Sequence, residues 1–145
     1  MMVLNRLPVL PVWEITSESA TEPRRGTVLE IKIEKLDTHT VLRPAGEVDA
    51  YTVAQFREQI GELALEPRLL IDLQAVPFMD SAGLGALIGG IRRIRDSEGE
   101  VVVACGEGAL HRLLHTTGFD RIVPVTETAE QALESLLGTN TSQAN

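Results

Sequence analysis

Residues 69–73, LLIDL, form a continuous apolar run broken by one acid, and no other feature limits the fold so strongly. Successive side chains of a strand point to opposite faces, so such a run needs cover on both sides. That predicts a central strand in a largely parallel sheet with helices packed on it. Leu29, Ile31 and Ile33 alternate with Glu30, Lys32 and Glu34 at the two-residue period of a half-buried strand. A turn through Asp37 and Thr38 leads to a second strand at 40–44, antiparallel to the first because the connection is short. Residues 100–105 and 122–125 read as two further strands. Between them, apolar residues three and four apart mark helices: Val53, Phe56, Ile60, Leu63; Leu84, Leu87, Ile88, Ile91, Ile94; Leu110, Leu113, Leu114; Ala132, Leu133, Leu136, Leu137. The fold class is α/β: a mixed β-sheet of four to five strands with about four α-helices packed on it.

Thr52 with Gln55, and Thr128 with Gln131, stand at capping-box spacing, so the first helix is expected to start without Asp49. A chain of 145 residues, 43% hydrophobic, closes one core. Residues 1–26 contain three prolines and end in PRRG, which reads as an extension and linker. Within them Val9, Leu10, Val12 and Trp13 are apolar enough to dock on the domain or on a second copy, as in a homodimer. The domain is expected to span 27–138, followed by a mobile polar tail at 139–145. Pro8, Pro11 and Glu14 interrupt the apolar start and no small-x-small cleavage site follows, so no secretion signal is expected. No apolar run has the length of a membrane span, and no membrane insertion is expected.

Thirteen basic residues against 21 acidic ones give a formal charge of -8, a surface that repels nucleic acid and anionic membranes. The single cysteine, Cys105, excludes an intramolecular disulfide and a cysteine-based zinc site, and it fits a cytoplasmic address. Cys105 itself reads as a small core residue. His111 and His115 are four apart, but neither the intervening Glu of a metalloprotease nor a third ligand accompanies them, so a solvated helix face is expected and no metal. Gly83-Leu84-Gly85 lacks the third glycine of a dinucleotide site, and no cofactor is expected.

The stretch after the central strand, FMDSAGLGALIGG at 78–90, is unusual for a helix, since each interior glycine costs about 1 kcal/mol against alanine. Gly83, Gly85, Gly89 and Gly90 leave either tight internal packing or a bare surface that another protein can approach. Ser81 stands at the amino end of this helix, where a hydroxyl caps free amides or, once phosphorylated, is held by them; Asp80 is equally placed to cap. A hydrolase elbow needs a glycine where Met79 stands. Asp72, inside an apolar strand, is expected to accept hydrogen bonds from loop amides and so support the Ser81 loop.

LLIDLQAVPFMDSAGLGALIGG, with GEVDAYT upstream, resembles the STAS domain of bacterial anti-sigma factor antagonists, whose signature is Asp-Ser-(Ser, Thr or Ala)-Gly-Leu-Gly after a strand. The resemblance covers roughly residues 27–138. It implies a phosphoacceptor at Ser81, a supporting acid at Asp80, and Asp49 in a partner-facing loop. Asp80, Ser81, Ala82, Gly83, Leu84, Gly85 and Gly90 join Asp49 as the implied partner surface. Ala82 replaces the second hydroxyl of some members, which removes an alternative acceptor. The implied partners are an anti-sigma factor with serine kinase activity, which carries ATP and Mg²⁺ itself, and a separate serine phosphatase. The protein would then bind without catalysing. Two rival readings are a docking subunit of a lipid- or solute-transport ATPase and a small enzyme using Ser81 or Asp80; the second lacks a nearby histidine.

Because the capped helices and alternating strands all lie after residue 26, a chain beginning at Gly26 is expected to melt cooperatively within a few degrees of the full chain. Loss of cooperative melting would place the 9–13 segment in the core or in a dimer.

Overall fold

The order of elements along the chain equals their order across the sheet, and that single regularity sets the layers. The computed structural model describes residues 29–144. Strands β1 (Glu30–Lys35), β2 (Thr40–Ala45), β3 (Arg68–Asp72), β4 (Glu100–Ala104) and β5 (Val125–Thr126) lie side by side in the order β1-β2-β3-β4-β5. β1 and β2 are antiparallel, and the β2–β3, β3–β4 and β4–β5 pairs are parallel. Parallel neighbours need crossovers, and helices supply them. α1 (Val53–Gly61) joins β2 to β3, α2 (Ser81–Asp96) joins β3 to β4, and α3 (Ala109–Thr116) joins β4 to β5; α4 (Ala129–Ala144) follows β5.

The central strand is covered on both sides. Leu69 and Ile71 pack with Phe56, Ile60, Leu87, Ile91, Ile94, Leu110 and Leu114 of the crossover helices, while Leu70 joins Val41, Val102, Ala104, Ala132 and Leu136 on the α4 side. Three helices therefore share one face of the sheet, and the last helix lies on the other. Asp72 at the end of β3 accepts from the Gln74 amide at 3.0 Å, as expected of an acid bordering a loop, and from Arg43 at 3.3 Å. Arg43 also donates to Glu34 at 2.8 Å, and that bond, with the one to Asp72, holds its guanidinium above the ordinary range. Cys105 is buried; burial, reinforced by the nearby Asp72 charge, pushes its thiol up to about 11. That leaves the thiol protonated at neutral pH, a small core residue as expected.

Several local expectations change. Gln55 does not close a capping box with Thr52: its amide donates to the Leu29 carbonyl, and Thr52 makes no side-chain cap to α1. The expected strand at 122–125 starts only at Val125, because Gly118, at φ 80°, turns the chain into a 3-10 turn over Phe119–Arg121 that buries Phe119. The expected cap of α4 forms, with Thr128 Oγ1 accepting from the Gln131 amide at 3.0 Å and the Gln131 side chain accepting from the Glu127 amide at 3.1 Å. α4 runs on to Ala144, past the boundary at 138 where a tail was expected, since neither a proline nor a positive-φ turn interrupts it. The 1–26 extension, with its apolar 9–13 segment, lies outside the described residues.

The four glycines of α2 divide into two kinds. A Cβ on Gly83 would fall 2.6 Å from the Val48 carbonyl oxygen, and one on Gly90 would fall 2.6 Å from Cδ1 of buried Ile60. Those two are glycine so that α2 can press on the 48 loop and on α1. Gly85 and Gly89 have no neighbour within 4 Å of the same position. Gly89→Ala should therefore raise stability by about 0.5–1 kcal/mol, the ordinary helix gain. Gly90→Ala should lower it by about 1 kcal/mol or more, overpacking exceeding the same gain. Urea unfolding of both variants at matched m-values checks the opposite signs.

Candidate functional site

Past the carboxyl ends of β2 and β3 the two chains continue side by side as irregular ladders. Ala45 bridges Ala75 and Val48 bridges Met79, both parallel, and the Gly46 amide donates to the Ala75 carbonyl at 3.0 Å. Val48 donates to the Phe78 carbonyl and accepts from the Asp80 amide, each at 3.1 Å. This pairing brings the GEVDAYT segment against FMDSAG, which are far apart in sequence.

Asp80 closes the arrangement. Its backbone is extended, its Oδ1 accepts from the Gly83 amide at 3.0 Å as the N-cap of α2, and its Oδ2 accepts from the Ala50 amide at 3.1 Å. One carboxylate thus starts the helix and ties down the neighbouring loop. Asp49 shapes that loop from within: Oδ1 accepts from the Tyr51 amide at 2.9 Å and the Thr52 amide at 3.2 Å. Buried Thr52 donates to the Glu47 carbonyl at 2.9 Å and accepts from the Asp49 amide at 3.0 Å. So α1 begins at an Asp49-built turn, which corrects the expectation that it starts without Asp49.

With Asp80 as cap, Ser81 is free of that duty. It is the first residue of α2, exposed, and its hydroxyl makes no hydrogen bond with any described residue. Around it, Ala82 and Leu84 are half-buried, with Leu84 packed against the core; Gly85 and Gly89 are open. Gly83 and Gly90, expected on the partner surface, are buried against this chain's own residues and drop out of the accessible face. Of the weaker candidates, His115 bonds Asp120 through Nδ1 at 2.8 Å, which holds the Asp120 carboxyl below its usual range; His111 is half-buried on the same helix.

Residues 30–132 match the STAS domain family model. The chain belongs to the STAS domain family. An anti-sigma-B factor antagonist from Listeria monocytogenes is 33% identical over 100 residues, covering 67% of this chain and 88% of that protein. An anti-sigma F factor antagonist from Paenibacillus polymyxa is 32% identical over 112 residues, covering 74% and 95%. The crystal structure of an anti-sigma factor antagonist from Mycobacterium paratuberculosis superposes with a TM-score of 0.71 at 29% identity, covering 76% of this chain and 95% of that one. No helix among the described residues of this STAS domain is long and apolar enough to cross a membrane.

Two exposed residues of the candidate site escaped the sequence reading. Tyr51 is 78% exposed on the Asp49 turn, and Phe78 is 48% exposed on the strand-to-helix loop, one on each side of the Asp80 clasp. The chain has only five aromatic residues, so two of them flanking the motif were a usable signal. Asp80→Ala should lower stability by about 0.5–2 kcal/mol through the lost cap. It should also speed hydrogen exchange at both the Gly83 and Ala50 amides; unchanged protection at Ala50 would mean that the loop is held without Asp80.

Proposed function

We propose that this STAS domain protein is an anti-sigma factor antagonist switched by phosphorylation at Ser81. The observation that carries this reading is the separation of roles at the start of α2: Asp80 caps, while the adjacent Ser81 hydroxyl is exposed and bonds no described residue. A side chain that the fold does not use can be modified without unfolding the protein. The names of the relatives support the class of partner. Unmodified, the chain binds an anti-sigma factor that is also a serine kinase, through the Asp49 turn and the exposed part of the 80–89 segment, and so frees a sigma factor for transcription in the cytoplasm. The kinase supplies ATP and Mg²⁺, the chain supplies the acceptor hydroxyl, and a separate serine phosphatase restores the binding form.

The electrostatics favour a switch rather than a structural change. Phosphate on Ser81 adds roughly -1.5 to -2 charges beside Asp80. The amino end of α2 offsets this in the free protein by about 0.3–1 kcal/mol at an exposed site. Pressing the same hydrated phosphate against a partner without compensation costs several kcal/mol, because ions resist leaving water. The contact is lost while the fold persists.

Ser81→Ala should bind the anti-sigma factor constitutively and take no label from ATP. Ser81→Asp should stay folded and bind at least tenfold more weakly, about 1.4 kcal/mol. Calorimetric titration of the three proteins against the purified anti-sigma factor decides it; equal affinities would reduce Ser81 to a bystander.

A further inference from the structure

The net charge of -8 makes any concentration of unpaired arginines on this chain conspicuous. Arg57 on α1 and Arg92 and Arg93 on α2 are all exposed, and none of their side chains forms a hydrogen bond or ion pair with a described residue. Among the other described basic residues, Arg43 pairs with Glu34 and Asp72, Lys35 with Glu66, Arg68 with Glu100, and Arg95 with the Ile122 carbonyl, while Lys32, Arg112 and Arg121 are exposed on other elements; what sets Arg57 and Arg93 apart is that they face one groove. Two of the free arginines form the walls of a groove between α1 and α2. Arg57 and Ile60 line it from α1; Gly85, Ala86, Gly89 and Arg93 line it from α2. Nη1 of Arg93 lies 3.5 Å from the position a Cβ on Gly61 would take, so its guanidinium reaches across to α1.

The groove is a small recess that side chains of a facing helix could enter. Positions 81, 85, 89 and 93 are four apart and form one i±4 ridge of α2, spanning about 18 Å at 1.5 Å per residue. Gly85 and Gly89 remove the middle of that ridge and leave open space. What remains is a bare stretch of α2 that starts one turn after Ser81 and ends at Arg93. A side-chain ridge of a second helix can pack along such a stretch, and two exposed guanidinium groups beside it favour carboxylates on that ridge. An extended polyanion is disfavoured by the charge of the whole chain, whereas a helix presenting a few acids is not.

We propose that the arginine-walled groove between α1 and α2 receives an acidic helix of the partner protein, extending the interface from Ser81 along α2. This rests on the reading that the partner is an anti-sigma factor, and it adds the partner's chemistry at that surface: carboxylates aligned to meet Arg57 and Arg93. Charged pairs at an interface rim set association rate and salt dependence, and a filled groove sets dissociation.

The test is calorimetric titration of the full chain with the purified anti-sigma factor at low and at physiological ionic strength. Wild-type affinity should fall as salt rises. The double variant Arg57→Gln, Arg93→Gln should bind about tenfold more weakly at low salt and show a flattened salt dependence. The corresponding Lys variants should recover most of the loss. Gly89→Leu, which has room to fold, should weaken binding about tenfold at both salt levels without lowering the melting temperature. If wild type binds and the Gln and Leu variants match it, the groove lies outside the interface and the Ser81 reading stands alone. If wild type does not bind the anti-sigma factor, the underlying reading falls and the groove assignment with it. Binding of a short DNA duplex that the Gln variant loses would assign the arginines to phosphates and overturn the proposal.

Discussion

Two-sided burial of β3 is the constraint from which the remaining architecture follows. Leu69 and Ile71 need cover on one face and Leu70 on the other, and a strand so placed cannot lie at an edge. Parallel neighbours then require helical crossovers, and because the strands are laid down in spatial order, α1, α2 and α3 all pack on one face. The other face is left to the helix that follows the last strand. The same order sends the ends of β2 and β3 to one rim, where their extensions pair through Val48 and Met79. The site is a by-product of that pairing: two loops aligned by backbone hydrogen bonds and locked by one carboxylate.

Asp80 shows how little machinery the rim needs. Its two oxygens serve different segments, Gly83 at the helix start and Ala50 in the facing turn. Desolvated amides at a helix start require an acceptor. Meeting that need with the residue before Ser81 leaves the serine hydroxyl without structural work. Tyr51 and Phe78 stand exposed on the two locked segments, so the placement of both aromatic rings depends on the same clasp.

Periodicity made much of this legible. The alternation of Leu29, Ile31 and Ile33, the LLIDL run and the stripe from Leu84 to Ile94 each state which face is apolar, and burial follows the face. Capping proved less transparent, because a hydroxyl or amide has several acceptors within reach. Thr128 and Gln131 cap as their spacing suggests, but Thr52 turns back to Glu47 within its own turn and Gln55 turns to Leu29, a contact that exists only once the sheet has formed. The glycines were legible as a group but not individually. Nothing local distinguishes Gly89 from Gly90; one faces open space and the other faces Ile60, and only the crossing of α1 over α2 decides which. The arginine groove was hidden for the same reason, since Arg57 and Arg93 meet only across that crossing.

That the Ser81 hydroxyl bonds no described residue also bears on how long the protein persists. Degradation in cells tracks the population of opened chains, which depends on folding free energy. Under the proposed switch, phosphate at Ser81, whose hydroxyl bonds no described residue, would leave that population nearly unchanged. Phosphorylated and unphosphorylated copies would then be cleared at similar rates, so the total stock would reflect synthesis while the proposed modification alone would divide it. Recovery after a stimulus would draw on an existing reserve, within the time of a single bond cleavage and without new translation.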